Sequence, residues 1–124
     1  MRVLVAEADD EVVGYAFVVL DNLPFWEPRY IPQLVDLEVR EECRGRGYGA
    51  ALVLAVESLV RAENGQALFL AVDPDHNPRA LALYGRLGYL PLATDPVDEL
   101  WAFTDSVGVA HQGVDHVIYL RKMV

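Results

Sequence analysis

The sequence is short of several things, and each shortage narrows what the chain can be. It holds one cysteine, Cys43, so no internal disulfide can form, and a reducing compartment, the cytoplasm, is expected. Basic residues are few: ten against nineteen acidic ones, for a net charge of −9. That balance argues against nucleic acid, whose binding rests on lysine and arginine at phosphates. It favours, weakly, a cationic acceptor such as an amine. Long apolar runs are also lacking. The longest, from Val12 to Leu20, contains Gly14 and is too short for a bilayer, so it reads as a buried strand and no membrane partner is expected. The N-terminus has no signal-peptide shape. Without repeats, low-complexity segments or a linker, residues 1–124 read as one domain, large enough to bury roughly two thirds of its unfolded surface.

One further scarcity is local. Between Arg40 and Leu54 there is no Ser, Thr, Asp or Asn. Residues 34–40 alternate, with Val35, Leu37 and Val39 facing one way and Asp36, Glu38 and Arg40 the other, the period of a strand with one buried face. From Leu52 the apolar residues recur at Ala55, Val56, Leu59 and Val60, which is helical spacing. A helix leaves its first N–H groups without partners, and here no side-chain oxygen is at hand to cap them. Instead Gly45, Gly47 and Gly49 open the backbone, flanked by Arg44 and Arg46. Bare amides, a positive dipole end and two guanidiniums suit an external phosphate or diphosphate. The plain alternative is a glycine-rich turn with solvated arginines.

Spacing sorts the phosphate ligands. A Walker loop fails, because Ala50 and Ala51 stand where the second glycine and the lysine are needed five and six positions after Gly45. The dinucleotide fingerprint fails too, since the turn reads Gly-x-Gly-x-Gly and no parallel βαβ pattern surrounds it.

The rest of the chain reads in order. Residues 2–8 and 12–20 predict two strands joined by a tight polar turn at Asp9-Asp10-Glu11. Pro24, Pro28 and Pro32 make residues 21–33 a loop, in which Phe25, Trp26 and Tyr30 either line a pocket or anchor the loop to the sheet. Asn64-Gly65 stops the first helix, and Ala67 to Val72 reads as a strand buried on both faces. Asp73-x-Asp75-x-Asn77 has the start of a calcium loop, but Pro78 and Tyr84 stand where glycine and glutamate are required, so no metal site is expected. His76 reads as a surface loop residue. Asn77-Pro78 is a strong helix start, with Ala80, Leu83, Tyr84 and Leu87 on one face and Gly88 as the stop. Tyr89-Leu90 begins another strand, residues 94–113 fit no single pattern, and His116 to Met123 reads as a final strand.

Two stretches together resemble a known family. Arg44-Gly45-Arg46-Gly47-Tyr48-Gly49 is similar to the Arg/Gln-x-x-Gly-x-Gly/Ala signature of the GNAT superfamily of acyl-CoA-dependent N-acetyltransferases. Asn77 to Tyr89, an asparagine with a tyrosine seven positions on and then Gly-Tyr, resembles that superfamily's second segment. The resemblance covers residues 12–92 well. It implies a single α/β domain with a mixed, mostly antiparallel sheet, two helices, and two splayed parallel strands at Leu34–Arg40 and Ala67–Val72. It also implies acetyl-CoA as cosubstrate, with its diphosphate on Arg44, Gly45, Arg46, Gly47, Tyr48, Gly49 and Ala50, and its pantetheine arm along Leu37, Val39 and Asn77. The Val39 N–H would face the thioester carbonyl as an oxyanion donor. Glu38, ahead of Asp36, would take the proton of a primary amine, unless a water chain does so. Tyr84 would give a proton to the leaving thiolate, against the alternative of a core tyrosine satisfied by a backbone carbonyl. Cys43 reads as an incidental thiol.

The family's usual N-terminal strand and helices, which wall the acceptor pocket, are missing from this sequence. The acceptor side is then open, or walled by residues 21–33 and 94–113, or closed by a second subunit in a homodimer that covers an exposed sheet edge. The same gap leaves room for two other readings: a non-catalytic acyl-CoA binding or regulatory module, and a structural domain that binds nothing.

Overall fold

The structure, a computed structural model, describes residues 1–20, 32–93 and 95–124. The aromatic trio Phe25, Trp26 and Tyr30 lies outside the described residues. Strands β1 (Arg2–Ala8) and β2 (Glu11–Val19) form a hairpin whose turn residues Asp9 and Asp10 both take positive φ, 52° and 63°. That is the turn whose twist matches the strands it joins. β3 (Gln33–Val39) runs antiparallel to β2, a short 3-10 turn follows at Glu41–Cys43, and α1 (Tyr48–Ala62) crosses over to β4 (Ala67–Val72). Then come α2 (Pro78–Arg86), β5 (Leu90–Pro91), β6 (Val97–Thr104) and β7 (Ala110–Met123). The sheet order is β1-β2-β3-β4-β7-β5, with β6 paired to β7.

β3 and β4 are parallel, and their ladder is short: Gln33 opposite Phe69 and Leu34 opposite Leu70. The reason lies in β3 itself. Its register with β2 skips between Phe17↔Asp36 and Val18↔Leu34, so Val35 is an extra residue with no partner. Such a bulge bends its strand, and beyond Leu34 the two strands diverge. The bulge also corrects the alternation read from sequence. Leu34 is buried at 4% exposure and Val35 is 43% exposed. Leu37 and Val39 do pack toward the core, sharing it with Leu34 rather than with Val35.

The core lies between the sheet and the two helices. Val53, Val56 and Val60 of α1 meet Val18, Leu68, Leu70 and Leu120, all fully buried. Within that apolar stripe sits Glu57, only 2% exposed. It is kept there by three bonds: Tyr89 Oη donates to Oε2 at 3.0 Å, and Lys122 Nζ reaches both oxygens at 2.9 and 3.2 Å. A buried carboxylate is tolerable only when paired in this way. The network fastens α1, the turn after α2 and β7 to one another.

Residues 94–113, unassigned by pattern, hold β6 and the first part of β7. Nearly every residue of β6 is exposed, so no face of it carries an apolar signal. No helix among the described residues is long and apolar enough to cross a membrane.

Replacing Lys122 by Met leaves Glu57 buried with one neutral partner. Since Lys122 is itself about a quarter exposed, the expected loss of stability is about 2–4 kcal/mol, read by urea denaturation; a loss below about 0.5 kcal/mol would show that the pair contributes nothing.

Candidate active site

The divergence of β3 from β4 opens a cleft, and the start of α1 points into it. The helix begins after Gly47, which takes φ 87° and contributes no side-chain cap. Only a glycine holds that left-handed conformation without strain. The first helical bond runs from the Ala51 N–H to the Gly47 carbonyl at 3.0 Å. Among the described residues, no oxygen takes the amides of Gly47, Tyr48, Gly49 or Ala50. These four residues border a cavity of about 760 Å³. On its second side stand Leu37, Glu38 and Val39 of β3, and on its third the helix α2, through Asn77, Ala80, Leu83 and Leu87. Gly49 sets the closeness of the two helices: a β-carbon there would come within 3.3 Å of Leu83 Cδ2.

The exposed edge of β3 has a definite polarity. Arg40 N–H donates to the Val13 carbonyl of β2 at 2.8 Å. Peptide groups alternate along a strand, so the Val39 amide and carbonyl face the other way, into the cleft. The Val39 carbonyl is partly taken, because Arg44 Nε donates to it at 3.2 Å. The same guanidinium donates from Nη2 to Glu38 Oε1 at 3.1 Å. Arg44 therefore lies along the strand edge and ties the candidate base to the glycine turn. Arg46 is exposed and does not line the cavity.

Asn77 caps α2, its side-chain oxygen accepting from the Ala80 N–H at 3.2 Å; its side-chain nitrogen has no partner among the described residues. Tyr84 is 6% exposed, its ring edge-on to Tyr89 at 5.9 Å. It does not itself line the cavity. No backbone carbonyl satisfies its hydroxyl, which has no hydrogen bond among the described residues. Burial, and secondarily the charge of Asp36, push its pKa up to about 12, so the phenol keeps its proton throughout the neutral range.

Several cavity residues went unremarked in the sequence. Arg79 and Arg86 both line it, seven positions apart on α2; that spacing, two turns of helix, was a readable signal. His76, read from sequence only as a surface loop residue, borders it too, its Nδ1 held 2.8 Å from Asp73 Oδ2. The hydrogen bond and charge of Asp73 raise the His76 pKa above its ordinary value. Cys43, read as incidental, is buried and forms part of the wall.

With this geometry in hand, comparison with known proteins gives a consistent answer. The family model described as "Acetyltransferase (GNAT) family" matches residues 1–89. The chain belongs to the GNAT acetyltransferase family. No curated protein sequence matches it. Among solved structures, ribosomal-protein-alanine N-acetyltransferase from Brucella melitensis superposes with a TM-score of 0.73 at 24% identity, over 98% of this chain and 68% of that one. Nourseothricin acetyltransferase gives a TM-score of 0.71 at 27% identity, over 98% and 64% of the two chains. The Salmonella typhimurium protein yncA, solved with its cofactor acetyl-CoA, gives 0.72 at 22% identity, over 98% and 63%. The chain thus spans less than two thirds of the length of two of these three structures.

The open amides generate a direct test. Ala50→Asp places a carboxylate in the first turn of α1, where it suits the helix dipole and opposes a diphosphate. Thermal stability should stay within about 0.5 kcal/mol of wild type, while acetyl-CoA affinity measured by calorimetry should fall about tenfold or more. Undiminished affinity would remove this helix end from the binding site.

Proposed function

We propose that the chain acetylates a primary amine, with acetyl-CoA as donor, by direct attack and without a covalent enzyme intermediate. The observation that carries this reading is the uncapped start of α1, facing a cavity whose other wall is a strand edge with an inward amide. An anion at those amides, an amide-bearing arm on the strand and a carbonyl near Val39 are what acetyl-CoA presents, so the residues fit it. When bound, it supplies the activated acyl thioester.

The chain's own groups then divide the work. Amides from Gly47 to Ala50 hold the diphosphate, with Arg79 and Arg86 on the opposite wall adding positive charge. The peptide edge at Leu37 and Val39, with the free side-chain nitrogen of Asn77, receives the pantetheine amides. The Val39 N–H is placed to stabilise negative charge developing on the acyl oxygen. Turning an ammonium into an amide releases two protons, and the departing sulfur takes up one. Glu38, directly or through water, receives the proton that frees the amine for attack; the second leaves the nitrogen to solvent as the C–S bond breaks, and the Tyr84 hydroxyl donates to the sulfur and regains its proton from solvent. A phenol that stays protonated up to about pH 12 suits the role of donor.

A second reading draws support from two facts: Glu38 already pairs with Arg44, and Tyr84 does not line the cavity. Both fit a domain that binds acyl-CoA without turning it over. Acetyl-CoA binding with no thiol release across a broad amine panel would favour that reading over catalysis.

Tyr84→Phe should lower kcat by about two to four orders of magnitude with acetyl-CoA affinity unchanged. In the wild-type enzyme Tyr84 should cause no falling limb between about pH 7 and pH 10. Turnover retained in the variant would take Tyr84 out of the mechanism. Glu38→Gln separates two roles. As the base it should lower kcat about 10- to 100-fold at constant acetyl-CoA affinity, whereas a change confined to acetyl-CoA affinity would assign Glu38 to holding Arg44.

A further inference from the structure

The sheet face turned away from α1 carries a second group of side chains beside the cleft. Cross-strand neighbours share a face, so the register places Val3 with Phe17, Val5 with Tyr15, Phe17 with Asp36 and Tyr15 with Glu38 on it. The Tyr15 and Phe17 rings lie 4.9 Å apart with a tilt of 32°. The Tyr15 hydroxyl donates to Asp36 Oδ2 at 3.3 Å, and the Asp36 charge holds that phenol above its ordinary pKa. Val3 and Val5 are 56% and 53% exposed. Together they make an apolar strip, aromatic in its middle, that ends on a carboxylate.

Asp36 occupies a particular place. It is two residues past the last parallel pair, Leu34↔Leu70, and one residue before Leu37, where the cavity wall begins. It therefore stands where the strands part, at the far end of the wall from the glycine turn. Its charge also contributes, after burial, to the raised pKa of the Tyr84 phenol. The two carboxylates of β3 also differ. Glu38 is paired with the Arg44 guanidinium, whereas Asp36 has no cationic partner among the described residues and accepts only the Tyr15 hydroxyl. A carboxylate without a counter-charge, beside two aromatic rings, is what an ammonium group seeks. The strip behind it accepts hydrocarbon, and the other carboxylate on this face, Glu38, is already paired with Arg44.

We propose that Asp36, the Tyr15–Phe17 pair and the Val3–Val5 strip hold the acceptor, and that the acceptor is a singly charged primary amine carrying an apolar or aromatic body. This deepens the acetyl-transfer reading above and rests on it for the acceptor's role.

The test uses four probes, 2-phenylethylamine and hexylamine against ethanolamine and spermidine, on the full chain with acetyl-CoA. The first two should show kcat/KM about tenfold or more above the last two. Asp36→Asn should raise KM for 2-phenylethylamine about tenfold or more while leaving the acetyl-CoA Kd within about twofold. Phe17→Leu should raise that KM about three- to tenfold. Acetylation with an unchanged KM in the Asp36→Asn variant, or with no preference for the apolar amines, overturns this site and leaves acetyl transfer standing. Failure to acetylate any of the four, despite acetyl-CoA binding, defeats the transfer reading instead. Saturation-transfer NMR of 2-phenylethylamine on the coenzyme A-bound protein then decides the site alone: a signal lost in Asp36→Asn supports it, and an equal signal overturns it.

Discussion

One extra residue in β3 sets the rest in place. Val35 has no partner on β2, the strand bends there, and the parallel ladder with β4 ends after two pairs. Had the register run on without a skip, β3 and β4 would have stayed hydrogen-bonded along their lengths, and the Val39 peptide would face a neighbouring strand. Bending converts that edge into the wall of a cleft. It also lets Leu34 and Leu37 both serve the core although they are three residues apart. A local irregularity therefore does two things at once: it keeps the packing and exposes the backbone.

The cleft is lined by groups whose usual partners have been withheld, and by one group that is over-supplied. At the start of α1 the described residues provide no oxygen for four amides. Outside the cavity lining, at Tyr84, they provide none for a buried hydroxyl, which ordinarily carries a cost of a few kcal/mol. Arg44, by contrast, serves both Val39 and Glu38. A ligand that drew Arg44 toward its phosphates would loosen Glu38, and diphosphate binding would then be linked to the freeing of a carboxylate through one side chain. The stretch that matches the family model, residues 1–89, covers all of these groups.

Much of this was legible before any coordinates. The helix limits followed from Asn77-Pro78, Gly88 and Asn64-Gly65, because capping and left-handed positions are set by single residues; Asn77 does cap, and Gly88 takes φ 95°. The uncapped start of α1 could be read from the absence of polar short side chains between Arg40 and Leu54. What escaped had physical reasons. A bulge leaves no mark in a pattern of alternation, so Val35 was placed on the wrong face. β6 has no buried side and hence no period to detect. Glu57 did fall within the α1 stripe of Val53, Val56 and Val60, but a glutamate there becomes intelligible only with Tyr89 and Lys122, which are 32 and 65 residues away. The arrangement of Arg44 depends on side-chain rotamers that no spacing encodes.

The shortness of the parallel ladder also bears on how the fold comes apart. β1, β2 and β3 make one antiparallel unit and β4, β5, β6 and β7 another, and the sheet passes between them through the pairs at Gln33 and Leu34. The apolar face of α1 and its Glu57 clasp to Tyr89 and Lys122 supply the rest of the junction. Amides on either side should therefore fall into two protection classes in hydrogen exchange, each opening as its own cooperative group. A ligand lying in the gap would bridge the two groups and fuse them into one, so slowed exchange on both sides at once would be the footprint of an occupied cleft.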